Sequence, residues 1–526
     1  MANQNLFAAS RSVAPVADTV NNAGGRAYKL SDKGALAQMA VTGVFNDTFY
    51  VDAETQLAEA KALVGRVDPE FIAKLAVYAR EKAFMKDMPA YLVATLAARD
   101  VGLMAKVFGR VIDNGKMLRN FVQIVRSGQV GRKSLGTRPK KMVSSWLNAA
   151  NDGQLLAASV GDSPSLGDVI KLSHPKGGDA TREAFYGYIS GKKVEMGALP
   201  QVVRELEAFR KGESVAVPKV PFELLTSLPL SQADWKTIAR NASWTQTRMN
   251  LNTFVRHGVF EDREMADLIA ARLRNPELIA KAKVFPYQLL AAYLNVSSDV
   301  PAKVVNALQD AMEVAIANVP DFGVDTLVFT DVSGSMKDPV TGKRKGSTSK
   351  VRCVDVAGLF ASAVLRRNEN TTVVPFDTRV HQARLNSRDS IITNATKLAA
   401  FGGGGTTCSI ALRDANEKKS RAKLVIYVSD NESWVDSIGG RSAYGYGGHA
   451  RGTETMEQWK QYKRRVPDAK LVCIDINPNR TSQAKDGQDI LNVGGFSDEV
   501  FNVVNRFVKG ELGGSVWASE IEKVEL

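Results

Sequence analysis

The chain has 526 residues, too many for one hydrophobic core, so two or more domains are expected. Its composition, 44% apolar and 24% charged, is that of a folded globular protein. The net charge of +13 favours phosphate-bearing partners, and the three cysteines (Cys353, Cys408, Cys473) and four histidines are too scattered for a disulfide framework or a zinc site.

The start of the chain, residues 1–24, is polar and rich in Ala, Asn and Ser, and reads as a flexible N-terminus. It has no basic stretch followed by an apolar core, and no later apolar run reaches the roughly 20 residues that span a bilayer. A soluble, cytoplasmic protein with no membrane partner is expected.

Residues 25–319 read as one α-helical domain. The segment Pro69–Arg80 places apolar residues at helical spacing with charges opposite, and Ala90–Ala98 is apolar nearly all round. Similar stretches recur at Met104–Ile112, Met117–Val125, Lys140–Ala150, Gln201–Phe209, Asp234–Arg240, Glu264–Arg274, Gln288–Leu294 and Ala302–Ala317. Short Gly/Pro breaks between them suggest stacked helical pairs, an α-solenoid, with a compact bundle as the alternative.

One part of this half is unusually basic. Lys106, Arg110, Lys116, Arg119, Arg126, Arg132, Lys133, Arg138, Lys140 and Lys141 face a single acid, Asp113. Like charges on shared helical faces repel, and a phosphate backbone relieves that repulsion while releasing counterions. A solvated face is the bland reading; RNA or DNA contact is favoured. Further on, Trp244, Arg248, Asn252 and Arg256 fall at i, i+4 spacing, one helical stripe of polar and cationic groups able to stack and read bases. Trp244 also fits an ordinary core position behind a cap at Ser243. His174, before a proline, fits a turn or a cap better than a ligand.

From residue 320 the periodicity changes, giving a second domain over 320–526. Thr326–Thr330, Thr372–Phe376, Leu424–Ser429 and Leu471–Ile476 are short apolar strands alternating with helical stretches, ending in a helix over Phe501–Val508. This pattern implies a doubly wound parallel sheet, whose ligands collect outside the carboxyl ends of the strands. Asp331, Ser333 and Ser335 follow the first strand, Thr406 follows a glycine run, and Asp430 follows the Leu424–Ser429 strand. Two carboxylates and three hydroxyls suit a hard divalent cation: Mg2+ first, with Mn2+ or Ca2+ open. No nucleophile–base pair adjoins them, so binding is favoured over catalysis and the protein is read as not an enzyme.

The set Asp331-x-Ser333-x-Ser335, Thr406 and Asp430 resembles the metal-ion-dependent adhesion site of von Willebrand factor A domains. The runs Val328–Met336, Gly404–Ser409 and Ser429–Ser433 are similar to the Ro autoantigen family. Leu172–Lys176, Trp146 after Lys140–Lys141, Asn250–Phe254 and Phe285–Ala292 resemble its TROVE module. The resemblance implies HEAT-like repeats in a ring, small noncoding Y RNA on the outer surface, and single-stranded ends of misfolded or structured RNA in the central hole. It also implies recruitment of an exoribonuclease, and a monomer. By the same resemblance His174 and Lys176 join the RNA contacts of the 104–141 stretch, and Arg248 and Asn252 line the hole. Two insertions, Lys337–Lys350 and Gly439–Gly452, fit surface loops or, for the second, a Gly/Arg-type RNA contact.

Two readings therefore stand. One is a Ro-type RNA-binding scaffold, a ribonucleoprotein component with a divalent ion in its A domain. The other is a metal-dependent adhesion module that captures an acidic partner, with the helical half as scaffold. A two-metal nuclease is disfavoured because the site is rich in hydroxyls and offers one ion position.

Overall fold

The computed structural model describes residues 14–43, 45–282, 286–316, 319–343, 348–435, 452–495, 497, 499–512 and 516–526. The chain divides into two compact units, one of Met1–Leu63 with Ile316–Glu520, the other of Val64–Ala315 with Ile521–Leu526.

The chain opens with β1 (Thr19–Val20), β2 (Arg26–Lys29), α1 (Asp32–Thr42) and α2 (Ala53–Arg66). The first three of these belong to the α/β unit, not to the helical half where the sequence places residues 25–63. The reason is local packing. Tyr28 is 2% exposed in the core of that unit, and Gln38 Nε2 donates to the carbonyls of Asp475 and Asn477 at 3.3 and 2.9 Å. The expectation of a flexible N-terminus fails from residue 14 onward, because β1 pairs antiparallel with β2.

The helical unit runs through α3 (Pro69–Glu81), α4 (Asp87–Arg99), α5 (Val101–Val111), α6 (Gly115–Arg126), α7 (Thr137–Ala149), α8 (Asp152–Ser159), α9 (Leu166–Ser173), α10 (Ala180–Ile189) and α11 (Gln201–Arg210). It continues through α12 (Gln232–Asn241), α13 (Trp244–Met249), α14 (Leu251–Arg256), α15 (Arg263–Leu273), α16 (Pro276–Ala282), α17 (Pro286–Asn295) and α18 (Ala302–Ala315). Side-chain caps set many of the starts: Asp68 before Pro69, Asp100, Asn114, and reciprocal boxes at Asn151/Gln154, Ser165/Asp168 and Ser243/Gln246. Helix α4 buries every residue from Met88 to Ala97, as its all-round apolar pattern requires. From α3 to α9 the packing runs α3 on α5, α4 on α6, α5 on α7, α6 on α8 and α7 on α9, with α3 also on α4. That is the stacking of a solenoid of helical pairs. The expected single stripe from Trp244 to Arg256 is broken. Asn250, at φ −117° and ψ 16°, ends α13, and its Nδ2 bonds back to Gln246 O at 2.8 Å.

The α/β unit adds β3 (Thr326–Asp331), α19 (Cys353–Arg367), β4 (Thr371–Phe376), α20 (Ile391–Ala399), α21 (Cys408–Glu417), β5 (Leu424–Ser429), α22 (Glu454–Arg465), β6 (Lys470–Asp475), β7 (Thr481–Ser482), β8 (Ile490–Gly494), α23 (Glu499–Val508) and α24 (Val516–Glu522). The sheet order is β4-β3-β5-β6-β8, and every pairing is parallel. Period-2 alternation sends Leu327, Phe329, Val425, Tyr427, Leu471 and Cys473 into one core with α21 and α22, while Val328, Ile426 and Val472 are buried on the other face. Strand β8 was not legible beforehand, its Gly-flanked run being short. In this order the chain leaves β3 for β4 on one side and reaches β5 on the other, so the switch point lies between β3 and β5. Most of the Gly439–Gly452 insertion lies outside the described residues.

Candidate functional site

Two constellations carry chemistry, one in each unit. In the helical unit, the end of α6, the turn before α7 and the end of α9 border a groove of about 830 Å³. Arg126, Lys133, Lys140, Lys141, Lys171, His174 and Lys176 line it, with no Asp or Glu among the described lining residues. The α7 register exposes Lys141 while burying Pro139, Val143 and Leu147. His174 takes the left-handed cap position of α9, at φ 49° and ψ 57°, which turns the chain so that Lys176 meets the same groove. Ser144 Oγ donates to Ser173 O at 3.2 Å and ties α7 to that turn.

The groove gathers Arg126, Lys133, Lys140, Lys141, His174 and Lys176 of the residues expected to contact nucleic acid. Lys106 and Arg138 are exposed elsewhere on the unit. The others are engaged within the fold. Arg110 pairs bidentately with Glu81 at 2.8 Å. Arg119 donates to the carbonyls of Val160 and Pro164 at 2.6 and 3.3 Å, and Arg132 donates to Ala97 O. Arg248 donates to Gln288 O at 2.6 Å, and Asn252 uses both ends of its amide, on Asn295 O at 2.7 Å and Ser297 N at 2.8 Å. Lys171 was missed, although the spacing of buried Leu166, Val169, Ile170 and Ser173 leaves it outward, beside the His174 turn.

In the α/β unit, Asp331, Ser333, Ser335, Thr406 and Asp430 all lie at the carboxyl edge of the sheet, at the β3/β5 switch point, and all are nearly or fully buried. Asp331 Oδ1 accepts from Ser333 N at 2.8 Å, and Oδ2 accepts from Ser429 Oγ at 2.6 Å. The Ser333 and Ser335 hydroxyls stand 3.3 Å apart. The glycine run is held to the β3 loop by Gly403 N to Val332 O at 2.9 Å and Gly334 N to Gly404 O at 2.8 Å. Gly402 has φ +74°, and a Cβ there would collide with the Val332 carbonyl. Asp430 Oδ2 is buried with no hydrogen-bond partner among the described residues.

The carboxyl groups of this cluster are shifted by their burial. Burial, with Asp430 adding its charge, pushes the Asp331 carboxyl up to about 7. Burial likewise raises Asp430. Glu432, fully buried and also facing Asp430, is pushed up to about 8, although Asn22 Nδ2 and Ala23 N donate to it at 2.8 and 3.1 Å. Two buried carboxylates without a cation are costly, and an orphaned carboxylate oxygen facing hydroxyls fits a hard divalent ion. Asp331, Ser333, Ser335, Thr406 and Asp430 are the residues that could hold it, directly or through water. No group of three or more His, Cys, Asp or Glu arranged for a metal occurs among the described residues.

A cleft of about 510 Å³ opens onto Ser335 and Thr406, and Ala23, Phe49, Tyr50 and Trp434 form its walls. Tyr50 was not foreseen. Burial and the Asp430 charge push its phenol up, against the Ser335 hydroxyl that hydrogen-bonds it.

Residues 326–508 match the family model described as the Ro60 vWA domain. The RNA-binding protein RO60 of Deinococcus radiodurans is 24% identical over 530 residues, 94% of this chain and 95% of that protein. The RNA-binding protein RO60 of Caenorhabditis elegans is 24% identical over 298 residues, 54% of this chain and 43% of that protein. The crystal structure of the Deinococcus radiodurans Ro (RSR) protein superposes with a TM-score of 0.61 at 21% identity, covering 92% of this chain and all of that one. The fold is therefore that of a Ro protein, a helical half and an A domain, as the motifs around Asp331, Thr406 and Asp430 suggest.

Proposed function

We propose that this chain, Ro-like along most of its length and carrying a Ro60-type A domain, is an RNA-binding scaffold that holds RNA in the basic groove of its helical unit. The carrying observation is that groove: six Lys and Arg side chains with His174, on three helix ends, and no carboxylate in the described lining. Phosphates crossing it would be neutralised without displacing an internal ion pair, and the exposed Lys171, His174 and Lys176 can reach a backbone that turns past α9. The names of the two RNA-binding relatives support RNA over DNA. The finer reading is a small noncoding Y-like RNA on this surface, with misfolded or structured RNA bearing single-stranded ends as further ligands. Such a scaffold would bring an exoribonuclease to its RNA in the cytoplasm as a monomer, with no catalysis of its own. Among the described residues no helix is long and apolar enough to cross a membrane.

The test is a filter-binding titration with a structured RNA bearing a single-stranded tail, over a range of salt. Replacing both Lys140 and Lys141 by Ala should reduce the salt slope by about 1.4, two phosphates at about 0.7 each, with unchanged circular dichroism. An unchanged slope removes the groove from the site.

A second reading concerns the A domain, where the orphaned Asp430 oxygen favours a resident divalent cation, Mg2+ first. Asp331, Ser333, Ser335, Thr406 and Asp430 would hold it, and it would present an open position to an acidic group of a partner protein. The two readings occupy different units and are compatible.

A further inference from the structure

The turn Phe45–Asp52 is far from the cation residues in sequence, yet it is fastened beside them. Asn46 Nδ2 donates to Thr341 O at 2.8 Å, and Gln56 Nε2 donates to Asn46 O at 2.7 Å. Lys343 N donates to Asp47 O at 2.6 Å, and Asp47 Oδ1 accepts from Ala53 N at 2.9 Å. Asp47 and Lys343 form an antiparallel bridge, and a Cβ on Gly342 would stand 2.8 Å from Asp47 O. The described start of the Lys337–Lys350 insertion is thus the anchor of this turn, which accounts for a segment that the RNA reading leaves unused.

The anchored turn delivers two rings. Phe49 is 51% exposed and meets Tyr50 edge-on at 4.8 Å between centroids. Both line the cleft above Ser335 and Thr406. Trp434 also lines the cleft; its backbone N–H donates to Thr406 O at 3.2 Å and its indole would lie 2.8 Å from a Cβ on Gly405. At the rim, the exposed Lys337 donates to Gly402 O at 3.4 Å. The cleft therefore has a floor of glycines and hydroxyls, three aromatic rings around it, and a positive rim.

We propose that Phe49 and Tyr50 are the specificity-determining residues of this cleft, which takes an acidic side chain of a partner protein flanked by apolar residues. One carboxylate oxygen meets the cation position and the other accepts from the Tyr50 hydroxyl, while the apolar neighbours pack on Phe49 and Trp434. The inference rests on the metal reading above and deepens it. Lys337 beside the glycine run supplies charge complementarity to a carboxylate, and the exposed Phe49 ring offers apolar area to its neighbours; a nucleotide, whose base stacks on the same rings, is the competing occupant that the dinucleotide arm of the test distinguishes.

The test uses the full chain loaded with Mn2+ and the peptide acetyl-Leu-Glu-Leu-amide, read by loss of Mn2+-bound water in proton relaxation. Wild type should bind this peptide and ignore acetyl-Leu-Gln-Leu-amide. Tyr50→Phe and Phe49→Ala should each weaken the peptide about three- to tenfold. Their Mn2+ affinity, read separately by electron paramagnetic resonance, should stay within about twofold of wild type, since both residues lie outside the proposed donor set. Failure of wild type to bind Mn2+ overturns the metal reading and this inference together. Normal Mn2+ binding with equal peptide affinity in all three proteins, or displacement of the water by a uridine dinucleotide and not by the peptide, overturns this inference alone.

Discussion

Asp331 and Asp430 are each placed where a lone carboxylate is least at home, fully buried, and the Asp430 charge adds to the burial that raises Asp331. Folding tolerates that arrangement best when a cation joins it. Asp430→Asn should therefore leave the metal-free protein at least as stable as wild type, because one of two facing charges is gone. Mg2+ at about 100 times its dissociation constant should stabilise wild type by about 2.7 kcal/mol and the variant not at all. Thermal unfolding with Mg2+ and with EDTA checks this, and a retained Mg2+ shift in the variant would count against the site. At the same scale, identity alone does not tell a binding arginine from a structural one. Arg126 and Arg119 lie on one helix, yet Arg126 reaches the groove while Arg119 is spent on the carbonyls of Val160 and Pro164. Asn252, a polar residue in the expected base-reading stripe, instead clamps α14 to the Asn295–Ser297 turn after α17.

Among elements, the glycine run before α21 matters most, because it seats Thr406 against the β3 loop. At Gly402 the left-handed backbone and the close Val332 carbonyl both forbid a side chain. Gly402→Ala should cost about 1–3 kcal/mol from the backbone alone and diminish the Mg2+ shift. Urea unfolding with and without Mg2+ would reveal both effects, and an unperturbed variant would mean that the loop relaxes freely. Helix α9 makes the complementary case. It is only eight residues long and was not foreseen, but its left-handed exit at His174 brings Lys171 and Lys176 into one groove. The α13–α14 break shows the opposite outcome. A spacing of four suggested one continuous stripe, and the Asn250 side chain, bonding to Gln246 O, ended the helix inside it.

For the whole molecule, the division at Leu63 rather than near residue 24 means that the A domain is completed by chain from the N-terminal end. Tyr28 sits in its core, and its hydroxyl accepts from Thr453 N at 3.3 Å. Tyr28→Ala should destabilise that unit by about 3–5 kcal/mol, as other large buried rings do. An unchanged unfolding profile would mean that residues 14–63 are a dispensable arm. The same completion brings Asn22 and Ala23 to Glu432, and Phe49 and Tyr50 to the cleft. A net charge of +13 says nothing of where positive groups converge.

By itself the sequence determined what depends on near neighbours. Apolar spacing placed most of the helices, and alternating strands announced the parallel sheet. The short runs at 331–335, 404–406 and 430 marked its carboxyl edge, because each such signal lies within a few residues of the atoms it controls. The tertiary structure alone decided which cations share a groove, which arginines are consumed by carbonyls, and that a tyrosine at position 50 overlooks Ser335. Those facts depend on contacts between residues tens to hundreds of positions apart, set by the packing of whole elements, and no local pattern encodes them.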